Sequence, residues 1–448
     1  MAATDRRRVK YVRKIDQLKN IPPEVREQLK QVAERYVFRA NDYYLDLINW
    51  EDPKDPIRQL IIPRREELND WGQLDASNEA AVTVAKGVQH KYPHTVLLLC
   101  NEVCGAYCRY CFRKRLFMDE NDEVSLDVSE GLAYIRNNPA VSNVLLTGGD
   151  PLLMSTRRLV EILAELRSIP HVRIIRIGSK IPAFDPWRLL NDQELQAALA
   201  KYSEPRRRIY LMAHFDHPRE LTDAAVEGID CFIRQGVICV NQCPLIQGVN
   251  DDAAVLAELY QQLAWIGCSP YYLFQGRPTA GNEPYEVPMV RGWHIFRDAL
   301  RQGSGLARRP RYVMSHETGK IEILAVAVHT AGILGRLYSD TLEEAEPEPM
   351  RMLEAAGASR LGVLLYGALP QIAPRLLSYT LYRFEVNIRA TATVGFVGAG
   401  GLGDALHTAL SLFHMRDLAT LMMVLFATVL IVDHLGGRLR ARILVRRR

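Results

Sequence analysis

The sequence predicts an α/β fold: a partial (β/α)6 barrel behind a helical N-terminal lead-in, followed by an all-α, membrane-type C-terminal segment. Three observations predict it. Six short apolar runs alternate with amphipathic stretches between Thr95 and Ile323, and each run is followed at once by a distinctive polar or glycine-rich phrase. After Leu324 the text changes kind, with no lysine beyond Lys320 and one long uninterrupted apolar run. A chain of 448 residues accommodates two or three domains, divided here as 1–85, 86–323 and 324–448.

Residues 1–85 read as a charged, helical lead-in. DRRRVKYVRK is basic but no apolar run follows it, which argues against a signal peptide. Pro22 and Pro23 stand where a helix can start, and EVREQLKQVAERY follows at helical period. The sequence assigns no chemistry to this region. A net charge of +4 is too small to argue for nucleic acid.

The apolar runs TVLLLC (95–100), NVLLT (143–147), VRIIRIG (172–178), RIYLMAHF (208–215), VICVNQ (237–242) and YYLFQ (271–275) predict strands. The stretches TRRLVEILAELRSI, NDQELQAALAKY, DAAVEGIDCFIRQ and DAAVLAELYQQLAWI predict helices between them. Strands with almost no polar alternation belong to parallel sheets buried on both faces. Six units suit a partial barrel better than a flat sheet, and in barrels the loops after the strands build the active site.

Those loops carry the chemistry. After the first run come Cys104, Cys108 and Cys111, spaced C-x3-C-x2-C, with Tyr110 before the last. Three thiolates this close wrap one soft metal centre, yet are one short of the four that close a zinc site or saturate an iron–sulfur cluster. A zinc knot completed by Cys100 or a distant His is the alternative. The scattered Cys231, Cys239, Cys243 and Cys268 sit among apolar neighbours, as buried free cysteines do. The later loops hold TGGDP, RIGSK, HFDHP and the strand-ending Asn241 and Gln242. Taken alone, TGGDP is an ordinary tight turn or a place for close backbone approach, and each His is as readily structural as functional.

C-x3-C-x-aromatic-C, within YPHTVLLLCNEVCGAYCRYCFRKR, resembles the signature of the radical S-adenosylmethionine (SAM) enzymes, and the longer phrase resembles their lysine 2,3-aminomutase branch, over about residues 10–323. The resemblance implies a [4Fe-4S] cluster on Cys104, Cys108 and Cys111, with one iron open to SAM. It places Tyr110, Gly148, Gly149, Asp150, Ser179, His214 and Gln242 around that cofactor, with the glycine phrase at its amino group. It implies a small-molecule substrate, an amino acid or related carboxylate gripped by Arg113, and an electron donor such as flavodoxin or ferredoxin. Arg277 stands where the lysine enzymes carry an Asp for the substrate ammonium; the reversed charge favours an acidic or phosphorylated group unless the side chain faces solvent. Pyridoxal phosphate (PLP) in this branch takes a Schiff-base lysine from a glycine-rich phrase that reads GSGLARRPRYVMSHETGKIEI here. No lysine lies between Lys201 and Lys320, and Lys320, at a different family position, is the residue left to be recruited.

After Leu324 the sequence resembles the C-terminal part of a phosphonate ABC-transporter permease. Gly357, Leu369 and Pro370 keep the spacing of the loop that engages the transporter's ATPase, while Arg351 and Met352 replace the Glu-Ala that opens it elsewhere. LATLMMVLFATVLIV (418–432) approaches bilayer-spanning length, with a second candidate span at 390–413; the alternative for the first is a buried helix of a soluble core. The arginines from Arg438 onward place the C-terminus on the cytoplasmic side of the inner membrane, with the enzyme part cytoplasmic. Both resemblances are shortened at one seam near Leu324, which reads as a fusion.

Overall fold

The structure, a computed structural model, describes residues 7–118, 122–316 and 319–322, the stretch 345–373, and single positions between 336 and 426. The chain divides into two compact units, Met1–Ile321 and Glu322–Arg448.

The first unit is built on one sheet. All six apolar runs form strands: β1 (Thr95–Asn101), β2 (Asn143–Gly148), β3 (Ile174–Ser179), β4 (Ile209–Ala213), β5 (Ile238–Pro244) and β6 (Ser269–Gln275). A seventh, β7 (Arg311–His316), extends the series, and β1 to β7 pair in chain order, all parallel. Beyond β1 the sheet gains an antiparallel hairpin, Thr83–Ala85 and Val88–Tyr92, whose first strand lies inside what the sequence assigns to a helical lead-in and whose second opens the barrel segment. Of that lead-in, Pro23–Arg35 is the one helix longer than six residues among the described residues.

Between the strands run α1 (Ser129–Arg136), α2 (Thr156–Ser168), α3 (Gln193–Tyr202), α4 (Asp223–Arg234), α5 (Ala253–Trp265) and α6 (Met289–Gln302). Helices α2 to α5 open on Ser155, Asp192, Thr222 and Asp252, whose side chains accept from backbone N–H groups of the first turn. Their apolar stripes cover one face of the sheet. Leu98, Leu146, Ile177 and Leu211 on that face are fully buried, each contributing roughly 1.5–3 kcal/mol. The opposite face carries a row in register, Gln89, Leu97, Leu145, Arg176 and Tyr210. Most of that row is half-buried, which leaves this face for a site.

In the second unit, Pro347–Ala355 forms a helix that ends at Gly357, held at φ +80°. That left-handed turn suits glycine. A second helical stretch, Arg360–Gly362 continuing into Val363–Ala368, follows. Gln371 ties the two together by accepting from Glu346 N at 3.0 Å and donating to Glu346 O at 3.2 Å. No described helix is long and apolar enough to cross a membrane. The candidate span 390–413, and 418–432 apart from five isolated positions, lie outside the described residues.

Candidate active site

The loop after β1 carries the three cysteines, and it is bolted down on every side. Tyr107 N donates to Arg39 O at 3.0 Å and Arg109 N to Leu60 O at 2.9 Å. The Arg109 guanidinium, 2 % exposed, forks onto Glu67 at 2.6–3.2 Å. Lys114 Nζ donates to Arg109 O at 2.9 Å and Gly281 O at 3.1 Å. The lead-in therefore does carry part of the site: it supplies the partners that set the loop's shape.

Cys104, Cys108 and Cys111 are free and partly exposed. Cys108 and Cys111 border a small pocket with Tyr107, Arg109 and Lys114. Burial raises all three thiols, that of Cys108 to about 12. Acting against burial, the Asp150 N–H favours the thiolate at Cys104, Lys180 and the Tyr110 hydroxyl favour it at Cys108, and the Arg113 N–H and Lys114 favour it at Cys111. Among the described residues no three His, Cys, Asp or Glu side chains converge on a single ion. A cluster gives each thiolate its own iron, and the donor set fits one. Cys100 is fully buried, its Sγ 3.7 Å from Thr147 O and its thiol pushed up to about 12 by burial. Cys231, Cys239, Cys243 and Cys268 are free and buried.

The glycine phrase lies directly on this loop. Gly149 N donates to Asn101 O at 2.5 Å and Asp150 N to Val103 O at 2.9 Å. Asn101 Nδ2 returns bonds to Val103 O and Asp150 O at 2.8 and 2.7 Å. A Cβ on Gly149 would stand 2.6 Å from the Val103 backbone, and one on Gly148, at φ +103°, 2.6 Å from Asn101 O. Close backbone approach is thus required by the cysteine loop itself, a reason for these glycines that the sequence does not show.

Asp150 and Ser179 face each other. The carboxylate accepts from Ser179 Oγ at 2.7 and 2.9 Å, Lys180 N at 2.8 Å and Leu152 N at 3.0 Å. Burial raises this carboxyl to about 6 against those donors. Both side chains are committed to joining the end of β2 to the end of β3. Next to them Lys180 Nζ, 6 % exposed, lies 2.7 Å from Asp216, 2.6 Å from Glu220 and 3.1 Å from His214 O. The Tyr110 hydroxyl donates to Asp216, and His214 Nε2 lies 3.0 Å from the other Asp216 oxygen. Burial would raise the Asp216 carboxyl, but His214 and Lys180 hold it well below the usual carboxylate range. Sequence reading selects Tyr110 and His214 and passes over Lys180, Asp216 and Glu220, although Asp216 stands inside HFDHP. His217 caps a 3-10 turn with Glu220. Gln242 is half-buried at the end of β5, on the face of the Tyr210 row, and its amide has no protein partner among the described residues.

Arg113 is 7 % exposed and occupied. Its Nε lies 3.0 Å from both oxygens of Glu79, Nη2 lies 2.6 Å from one of them, and Nη1 donates to Thr147 Oγ1 at 2.9 Å. Arg277 is half-buried rather than free in solvent. It donates to the carbonyls of Ser315 and Ala76, and its charge opposes the burial that raises the Glu286 carboxyl to about 8. Lys320 lies on the strand Gly319–Glu322, its side chain outside the described residues.

The radical SAM superfamily model matches residues 99–259, the strands and loops just described. Over 319 residues the chain is 51% identical to an Aquifex aeolicus protein provisionally named L-lysine 2,3-aminomutase, covering 71% of this chain and 85% of that one. The chain belongs to the lysine 2,3-aminomutase family of radical SAM enzymes. Within that family it is 36% identical to the L-lysine 2,3-aminomutase of Clostridium subterminale, over 67% of this chain and 71% of that one. It is 31% identical to the glutamate 2,3-aminomutase of Clostridioides difficile, over 72% and 77%. A model of binding-protein-dependent transport system inner membrane components matches residues 321–447. Membership makes this a radical SAM enzyme of aminomutase type, and the superfamily implies a [4Fe-4S] cluster and SAM.

Proposed function

We propose that residues 86–323 form a partial (β/α) barrel that moves an amino group within a free amino acid. The single observation that carries this is the stitching of the cysteine loop to the glycine phrase and the lead-in, which presents three free thiols beside the Gly148–Gly149 backbone. Cys104, Cys108 and Cys111 hold the cluster. The Gly148–Gly149 backbone, the Gln242 amide and the exposed edge of His214 receive SAM, while Tyr110, Asp150 and Ser179 hold their own loops in place around it. When bound, cluster and SAM together supply a 5′-deoxyadenosyl radical that takes hydrogen from an unactivated carbon. The chain's own part is to orient substrate and exclude water. Arg113 takes the substrate carboxylate, since a planar guanidinium matches a carboxylate in two dimensions. Arg277 closes the far side of the mouth between Ala76 and Ser315. The relatives' substrates, L-lysine and L-glutamate, are the first to try.

PLP has no place on the described lysines near the site: Lys180 is held by two carboxylates and Lys114 by two carbonyls, so neither offers a free amine. Lys320 is the remaining position for it. Electrons come from a flavodoxin- or ferredoxin-type donor.

The test is anaerobic reconstitution with iron and sulfide, dithionite reduction, and a search for 5′-deoxyadenosine with and without L-lysine or L-glutamate. Release of 5′-deoxyadenosine with an isomerised amino acid is expected. SAM left intact by protein that carries its full iron content defeats the reading.

A second reading concerns residues 324–448. The helix–glycine–helix pair of 347–373 and the match to transport components favour a membrane-attached segment with a knob for an ABC ATPase, the enzyme part being cytoplasmic. Fractionation of full-length protein between membrane and supernatant tests it.

A further inference from the structure

The hairpin strand Val88–Tyr92 brings Gln89 to the face that carries the site, opposite Leu97 of β1. Gln89 is 3 % exposed. Its Oε1 accepts from Arg113 Nη2 at 3.3 Å. That contact fixes the amide's orientation, because the reverse would set an NH2 group against a guanidinium. Nε2 is then a buried donor with no acceptor among the described residues. A buried donor left so is unfavourable until something accepts from it.

The guanidinium beside it is unevenly occupied. Its side edge, Nε and Nη2, is filled by the Glu79 carboxylate, which Arg115 also holds at 2.8 Å. Its end edge, Nη1 and Nη2, meets only neutral oxygens, Thr147 Oγ1 and Gln89 Oε1. A cationic edge with neutral partners lies next to an amide donor with none. An oxyanion satisfies both, and charge-assisted bonds of this kind are stronger than the neutral ones they replace.

We infer that Gln89 is a substrate-binding residue whose Nε2 donates to the carboxylate that Arg113 holds, and that Glu79 is the positioning residue that fixes the guanidinium for it. This rests on the proposed role of Arg113. The ligand class is an α-amino carboxylate. Glu79 stays in place when it binds, because Arg113 and Arg115 both depend on that carboxylate.

The test uses the full chain, reconstituted anaerobically. Calorimetric dissociation constants are measured without turnover for L-lysine, L-glutamate and L-alanine, and for cadaverine, 4-aminobutyrate and ethylamine, which lack the α-carboxylate. Gln89→Leu removes the donor at similar bulk. Gln89→Glu keeps an acceptor for Arg113 and repels a second carboxylate, so it remains informative where Gln89→Leu fails to fold. The amino acid bound by wild type should bind Gln89→Leu about tenfold more weakly, which is 1.4 kcal/mol, and Gln89→Glu more weakly still. The amine without the carboxylate should show no change. Equal constants in wild type and Gln89→Glu, equal losses for the decarboxylated amines, or a wild type that binds none of the amino acids would each overturn the inference. SAM cleavage by wild type is scored separately, so failure of the radical reading is distinguishable from failure of the carboxylate site.

Discussion

Glu79 lies side-on to Arg113, with Nη2 2.6 Å from one carboxylate oxygen and Nε 3.0 Å from both. One partner comes from the lead-in and the other from the cysteine loop. The residue before Glu79, Asn78, sits at φ +49°, and Arg115 donates to the free side of the carboxylate. The segment ahead of the first parallel strand is therefore one wall of the site.

This pair sets a pH dependence. Burial alone would raise the Glu79 carboxyl from 4.5, but Arg113 and then Arg115 outweigh burial and bring it down to about 2. A depressed carboxyl stabilises the fold fully above its ordinary value and loses that contribution as pH falls from 4.5 through about 2. The shift corresponds to about 3 kcal/mol. Glu79→Gln should be less stable than wild type at neutral pH by about 3–5 kcal/mol, with the gap closing through that window. Urea unfolding at a series of pH values measures it; a gap independent of pH would show that the ion pair does not hold in solution.

Lys180 gives a second expectation. Its amine is the counter-charge for Asp216 and Glu220, and those two carboxylates are fully buried. Lys180→Met should cost about 3–5 kcal/mol, because it leaves uncompensated charge in the interior. Adding Asp216→Asn and Glu220→Gln should recover part of that loss. Thermal melts of the single and triple variants decide it, and a triple variant no more stable than the single one would assign Lys180 some other role.

How much of this is legible in the sequence follows from what each signal depends on. Strands β1 to β6 are legible because their runs are almost wholly apolar, although one of their faces is fully buried and the other only half-buried. β7 is harder to see: its start, Arg311, follows Arg308 and Arg309 and hides a short apolar centre. The hairpin of Thr83–Tyr92 mixes Gln89, His90 and Lys91 with apolar residues and gives no clean period. The cysteine triad is legible because its members are close in sequence. Glu79, Gln89, Asp216 and Glu220 are not, since each acquires meaning from a partner on a different segment. Arg277 shows the same limit. Its charge reversal is plain in the sequence, but the carbonyls and the Glu286 carboxyl beside it are supplied by the fold.

Cluster loading should separate the cysteines. Alanine at Cys104, Cys108 or Cys111 should abolish the dithionite-bleachable absorbance near 400 nm and cut bound iron sharply. Cys100→Ala should retain both, since that side chain is in the core against Thr147. Iron and sulfide assays on anaerobically reconstituted variants check this. Loss of the cluster in Cys100→Ala, with one of the three dispensable, would reassign the ligands.

Borohydride reduction in the presence of PLP, followed by peptide mapping, should label neither Lys114 nor Lys180. Burial lowers the Lys114 amine to about 8, which favours a nucleophilic form, but its position is fixed by two carbonyls. A phosphopyridoxyl adduct on Lys320 would assign the cofactor to that lysine. An adduct on Lys114 would show that the loop under the cysteines opens.

The division of the chain at Ile321 can be tested by cutting it. Every residue proposed to hold cluster, SAM or substrate carboxylate lies before that point, and their partners, Glu67, Glu79, Gln89, Asp216 and Glu220, lie there too. The sheet's last strand, Gly319–Glu322, spans the boundary, so a chain ending at Ile323 keeps it whole. That truncated chain should fold, bind iron and cleave SAM at a rate within a few-fold of full length. It should also partition to the supernatant where the full-length protein requires detergent. The second expectation rests on the apolar run at 418–432, whose backbone can be satisfied in lipid only within a helix. Iron content, SAM cleavage and detergent dependence of the two proteins, compared side by side, decide both. A truncated chain that loses its iron while the intact one keeps it would mean that residues beyond 323 complete the site, and the boundary would then belong further along the chain.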